Sequence, residues 1–300
     1  MRVLYETSSV IDRIQQSIDK FGGKPEHNVY LYINHKIKNN KNVLFDFNED
    51  KLILSSYNEN LNVWSLFPSG ILCPEEELID KLLKFSYFCL EEKECRKIII
   101  EVEDKIFEQF KAALKSPTSS KLRISSINHI YYWPIINLRQ WDSNLSGKTG
   151  QKIRKLYRKN DIRFESSTKI TKDILKKIVY EWKLNRKGDD KVDYRQYLNF
   201  IDNDFKGTDY TSTILVNNEP CSITAGWRIP NTSSFYLSIS LHNYKFYGMG
   251  ELMYIKSLSD LKEMKIDMVN LGGSEKRLLL FKEKFEPHCV YKTYEFSLVR

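Results

Sequence analysis

The segment with the clearest chemical potential is a strand that turns into a helix through small residues. FYLSIS runs into HNYKFYGMGELMY, which sets Lys245-x-x-Gly248-x-Gly250 where extended chain becomes helix. Such a turn presents backbone N–H groups at the positive end of a helix, an arrangement that suits a phosphate or pyrophosphate. Lys245 can add a point charge to the same anion. On spacing alone the signal is weak, since a glycine-rich strand-to-helix turn is structural more often than not. The second constellation is basic. Lys148, Lys152, Arg154, Lys155, Arg158, Lys159 and Arg163 lie within 148–163 against one acid, Asp161. Lys148, Lys152, Lys155 and Lys159 share one helical stripe, Arg154 and Arg158 a neighbouring one, leaving Ile153, Leu156 and Tyr157 for a core. Such a helix can neutralise several phosphates of a tRNA or an anionic lipid surface; the plainer alternative is a solvated face. Thirdly, Trp182 and Arg186 stand at i, i+4, and with Trp227 and Tyr236 they are either core or the walls of an acceptor pocket.

Positioning these groups takes a mixture of helices and strands. Apolar periodicity predicts helices at Val10–Lys20, Glu75–Glu94, Asp104–Lys115, Gly147–Lys159, Thr171–Lys187, Tyr194–Asp202, Met249–Met264 and Glu275–Lys284. Strands are expected at Val29–Ile37, Val43–Phe47, Lys51–Ser56, Lys97–Val102, Leu122–Leu138, Ile162–Ser166, Ser212–Val216, Cys221–Ile229, Phe235–Ser240, Ile266–Leu271 and Val290–Leu298. The Asn217–Asn218 pair is a hairpin signal. A polar stretch ending at Ser146–Gly147 divides the chain, so the expectation is an α/β (α+β) protein of two similar units, 1–138 and 139–300, each a mixed twisted sheet flanked by helices.

The motif order resembles a known superfamily. YKFYGMGELMYIKSLSDL is similar to the acyl-donor motif of GNAT acyltransferases, Arg/Gln-x-x-Gly-x-Gly/Ala, with Lys245 in place of Arg or Gln. Asp267-Met-Val-Asn-Leu-Gly-Gly-Ser274 followed by Leu280-Phe-Lys-Glu-Lys-Phe-Glu-Pro287 looks like the end of the aminoacyl-tRNA-dependent branch, which includes the Fem transferases and the phosphatidylglycerol lysyltransferase C-terminal domain. Their Phe-Lys-x-x-Phe-Gly motif matches Phe281, Lys282 and Phe285, with Glu286 replacing glycine. YYWPIINLRQWDSNLSGKTGQKIRKLYRK also looks like the entry to the lysyltransferase-type domain. The resemblance covers about residues 131–298; the first half is matched only in architecture, since these families use tandem GNAT units.

The resemblance implies an acyltransferase that binds no cofactor and takes aminoacyl-tRNA or acyl-CoA as co-substrate. Lys282 corresponds to the lysine that contacts the aminoacyl-tRNA end in Fem proteins, where an ammonium stabilises the tetrahedral intermediate. Glu251 and Tyr236 are the other expected catalytic groups. Lys245, Tyr247, Gly248, Met249, Gly250, Asn270, Gly272, Gly273 and Arg277 form the expected donor site, with Lys284 a weaker candidate. The acceptor is an amine or hydroxyl. Acylating an amine needs a deprotonated nitrogen, and Glu251, His242, Asp202 and Asp204 are candidate bases in no decisive constellation; positioning and a water relay can replace a base. No Gly-x-Ser-x-Gly, Walker A or paired-carboxylate signature competes. Two other readings stay open, an acetyl-CoA-dependent N-acetyltransferase and a non-catalytic RNA- or membrane-surface-binding module.

Composition bounds these readings. A hydrophobic fraction of 41% with charges spread throughout predicts a globular chain with real cores. The net charge of +8 favours polyanionic partners such as tRNA, CoA phosphates or an acidic membrane surface. The N-terminus has no apolar run of the signal-peptide kind and no window reaches membrane-span length, so a cytoplasmic protein is expected, peripheral membrane contact included. Five scattered cysteines and five histidines show no metal-ligand spacing, so free thiols and no metal are expected.

Overall fold

A computed structural model describes residues 1–5, 10–35, 40–48, 50–116, 121–142, 147–186 and 194–300. In chain order the first elements are β1 (Arg2–Leu4), α1 (Ile11–Phe21), α2 (Val29–Asn34), β2 (Asn40–Asp46), β3 (Leu52–Asn58), β4 (Val63–Leu72), α3 (Leu78–Tyr87), β5 (Lys97–Glu103), α4 (Asp104–Ala113) and β6 (Arg123–Asn137). There follow α5 (Gly147–Lys159), β7 (Ile162–Glu165), α6 (Lys172–Asn185), α7 (Arg195–Asp202), β8 (Tyr210–Val216), β9 (Glu219–Pro220), β10 (Ser222–Arg228) and β11 (Ser234–His242). The last are α8 (Met249–Glu263), β12 (Met268–Asn270), α9 (Lys276–Lys282) and β13 (Cys289–Val299).

The strands form one mixed sheet in the order β1-β2-β3-β4-β5-β13-β6-β12-β11-β10-β8-β7, with β9 beside β8. One pattern occurs twice. An antiparallel run ends in a strand, a crossover helix and a parallel strand: β4-α3-β5, then β11-α8-β12. The strand that closes each pattern crosses to the other side. β13 pairs with β5, and β6 pairs with β12, while β6 and β13 pair with each other along almost their whole length. The sheet is covered on both faces. Beside the early strands, Phe45, Trp64, Phe85, Phe110 and Phe296 make one core and Ile14, Ile18, Tyr32 and Phe67 the other. Beside the later strands, α5 and α8 pack on Phe235, Val269 and Phe285, while α6 and α7 pack Trp182 and Phe200 on Trp227 and Tyr236.

Two local expectations are corrected. Val29–Ile37 reads as a strand from its β-branched and aromatic residues, but VYLYIN is helical. Asn28 caps it by accepting from the N–H groups of Tyr30 and Leu31, and Val29 and Tyr32 are buried against the sheet; residues 36 and 37 lie outside the described ones. The strand β4 has no counterpart in the sequence reading because Pro68, Ser69 and Gly70 break its pattern. The chain absorbs them in a bulge, where the register jumps between Ile53 opposite Ile71 and Ser55 opposite Leu66. Lys187 and Ser146, at expected element ends, also lie outside the described residues. Among the described residues no helix is long and apolar enough to cross a membrane, and no group of three or more His, Cys, Asp and Glu could hold a metal ion.

Candidate active site

β11 and β12 pair only over Ser234–Tyr236 and Met268–Asn270. Beyond that point β11 continues while its partner turns away through Leu271-Gly272-Gly273. The turn needs its glycines. Gly272 has φ +84°, and a Cβ there would stand 3.4 Å from the Tyr236 ring; a Cβ on Gly273 would meet the Trp133 indole at 3.0 Å. Asn270 braces the turn, accepting from Gly272 N–H at 2.8 Å and donating to the Tyr291 hydroxyl at 3.1 Å.

Lys282 enters the splay from α9. It is 3% exposed, and its Nζ donates to the carbonyls of Leu271 at 2.5 Å and Gly272 at 2.9 Å. Burial first, and then the charge of Arg186, push its pKa down to about 7. Leu280, by contrast, is 60% exposed, so α9 turns Lys282 rather than Leu280 inward. Arg186 lies over the Trp182 ring at 4.6 Å. Trp227 stacks on Phe200, meets Tyr236 edge-on at 5.2 Å and donates its indole N–H to the Pro25 carbonyl at 2.8 Å. Tyr236 is thus packed between two tryptophans, its phenol raised well above its ordinary pKa by burial and by the charge of Glu26.

The turn into α8 is built differently from an open phosphate cradle. Gly248 caps the helix at φ +92°, but a Cβ there would touch Lys152 at 3.3 Å, because α5 lies across the turn. A Cβ on Gly250 would meet His242 and Phe281 at 3.2 Å, and Met249 is fully buried. Lys152 reaches over the Tyr247 ring at 4.4 Å to Glu251 at 3.0 Å, and Lys284 reaches Glu251 at 3.0 Å from the other side. Burial pushes the Glu251 carboxyl up, but hydrogen bonds from Lys284 and Lys152 outweigh it and hold the group below its ordinary pKa. Lys245 is engaged by Glu219 and lies 3.9 Å from Glu181. His242 is half-buried, and loss of solvation pushes its pKa down to about 4. Asp202 and Asp204 pair with Lys176 and Lys172.

The expected residues therefore separate into three groups. Lys282, Tyr236, Asn270, Gly272, Gly273 and Arg186 converge on the strand splay. Gly248, Gly250, Glu251, Lys152 and Lys284 form a clamp at the start of α8. Lys148, Arg154, Lys155, Arg158 and Lys159 stand exposed on α5 with no acidic partner among the described residues, beside half-exposed Tyr157, and Arg277 is exposed on α9.

Compared with protein-family models and with curated proteins, the sequence matches none. Solved structures do match. L-PGS from Bacillus licheniformis has a TM-score of 0.63 at 13% identity, over 96% of this chain and 91% of that one. FemX gives 0.62 at 12%, over 99% and 97%. A tandem GNAT protein from the clavulanic acid biosynthesis pathway gives 0.56 at 8%, over 99% and 98%. The chain has a GNAT-like fold. Within that GNAT-like sheet the second parallel pair, β4 and β5, also splays, and the space between them is a cavity of about 450 Å³ that reaches Trp133 and Tyr291. Glu26 and Glu101 line it. Sequence reasoning missed both, because 75 positions separate them and only the fold makes them a pair.

Proposed function

We propose that the chain is an acyltransferase that moves an aminoacyl group from aminoacyl-tRNA to an amine or hydroxyl acceptor, and that it comprises two GNAT-like units, 1–138 and 139–300, the second catalytic. The observation that carries this reading is the buried ammonium of Lys282. Two of its three hydrogens hold the Leu271 and Gly272 carbonyls, which fixes the third in a site where Arg186 adds positive potential. A group so placed stabilises the oxyanion that forms when an ester carbonyl is attacked. The exposed cations of α5 supply a surface for the tRNA phosphates, and the resemblance to Fem transferases at Phe281-Lys282-x-x-Phe285 points to the same donor. The clamp of α5 over Gly248 speaks against a CoA pyrophosphate seated at α8.

The same covering of Gly248 favours a second reading, a non-catalytic RNA- or membrane-surface module. Incubation with labelled aminoacyl-tRNA mixtures and a panel of anionic lipid, peptide and small amine acceptors decides between them. Transfer lost in Lys282→Met supports the enzyme; no transfer from any aminoacyl-tRNA to any acceptor sinks it.

A further inference from the structure

The cavity between β4 and β5 shares a wall with the Lys282 site. Trp133 and Tyr291 line it, and the same two side chains back Gly273 and Asn270 on the other side. Four carboxyls face it. The outer two are neutralised, Glu103 by Lys24 at 2.5 Å and Glu75 by Lys105 at 2.6 Å. The inner two, Glu26 and Glu101, have no ion-pair partner among the described residues. Glu26 is 6% exposed, and the Ser69 hydroxyl, which donates to Oε2 at 2.8 Å, is the only side-chain donor it meets among those residues. Glu101 accepts from the Thr293 hydroxyl at 2.6 Å, itself held by the Trp133 indole N–H at 3.0 Å. His27 brings no charge. Its Nδ1 accepts from the N–H groups of Gly23 and Lys24, so Nε2 carries the proton and donates to the Ser69 carbonyl at 2.8 Å. A carboxyl pair without a counter-ion, Glu26 buried and Glu101 half-buried, is costly to keep, and a ligand that brings one positive charge would relieve it.

We propose that this cavity binds the acyl acceptor, and that the acceptor is a primary alkylamine whose ammonium sits between Glu26 and Glu101. The inference rests on the acyltransferase reading above. Burial raises Glu26 to about 8, with the charges of Glu101 and Glu103 adding to it, and raises Glu101 to about 7, with the charge of Glu295 adding to it, so a proton resides on the pair near neutrality. The groups facing the pair are Tyr32 of α2, Ser69 of β4, Glu103 of β5, Tyr131 of β6, Tyr236 of β11, Tyr291, Thr293 and Glu295 of β13, and His27. In the reaction Glu26 takes one proton from the ammonium. The freed nitrogen lone pair attacks the ester carbonyl, a C–N bond forms, the C–O bond to the ribose breaks, and the ribose oxygen leaves as a hydroxyl with the second nitrogen proton.

Calorimetry on the full chain with 1,5-diaminopentane and 1,5-pentanediol tests the site without a donor. The diamine is expected to bind and the diol not, with about one proton released near pH 7.5 as the ammonium displaces it, read from two buffers of different ionisation heat. Glu26→Gln and Glu101→Gln should each weaken diamine binding about tenfold or more. Equal binding of diol and diamine, no proton release, or wild-type affinity in both variants would overturn the proposal. If a variant fails to fold, the two wild-type measurements decide alone. A chain that binds the diamine as described yet transfers from no donor overturns the acyltransferase reading and leaves the amine site standing.

Discussion

The Lys282 ammonium donates to the Gly272 carbonyl at 2.9 Å from inside the core, and no carboxylate is paired with it among the described residues. Its folded pKa of about 7 lies below its ordinary 10.5. Between those values the unfolded chain holds a proton that the folded chain has released, so this group makes stability rise with pH from about 7 towards 10.5, and the full cost of burying the charge is present below 7. Lys282→Met removes that limb. Its stability relative to wild type should be most favourable near pH 6.5 and decline by pH 9.5, measured by denaturant midpoints; a constant difference would refute the buried-charge account. Transfer should fall about a hundredfold or more in the same variant.

Combined Lys148→Ser, Arg154→Ser and Arg158→Ser should weaken tRNA binding uniformly across tRNA species. The slope of log affinity on log salt should drop by about 2 to 3, near one per lost phosphate contact. Filter binding at several salt concentrations measures it. Because all three side chains are exposed, the thermal midpoint should stay as in wild type.

Glu251→Gln leaves Lys152 and Lys284 without their shared carboxylate. A loss of about 2 kcal/mol is expected, less than for a fully enclosed pair because the Lys284 side chain is 36% exposed and screened. Urea denaturation gives the value. Acetyl-CoA should not raise the thermal midpoint of the wild-type chain, since Gly248 and Gly250 of the α8 turn are buried against Lys152, His242 and Phe281.

Glu286 occupies a left-handed position at φ 56° and ψ 62°, directly after the turn that follows α9. Glycine adopts it without the Cβ clash that a side chain suffers. Glu286→Gly should therefore stabilise the fold by about 0.5 to 1 kcal/mol, visible as a higher denaturant midpoint.

The glycine that the Phe-Lys-x-x-Phe-Gly motif expects at that position illustrates what is legible in a sequence. Helices with long apolar stripes, such as α3 and α8, and strands rich in β-branched residues announce themselves through local periodicity. The turn residues Gly248, Gly272 and Gly273 do so through backbone needs. α2 does not, because its helix is imposed by the Asn28 cap and by burial against β3 and β4, which outweigh the strand propensity of VYLYIN. Lys152 could be placed on the basic stripe but not turned inwards, since its partner Glu251 lies 99 positions away. The Glu26–Glu101 pair is a product of topology alone. It exists because β4 and β5 part after three residue pairs, and nothing in either segment by itself marks the event.

The placement of β13 sets a condition on how the protein can be made. That strand fills the gap between β5 and β6, pairing eleven positions with β6 and six with β5. While the ribosome is still adding residues before Cys289, the early half carries two unpaired strand edges at what will become the middle of the sheet. Those edges are open to pairing with other nascent chains. A fragment ending before β13 should therefore aggregate unless that strand is supplied separately, much as a clasp holds nothing until its last link is threaded.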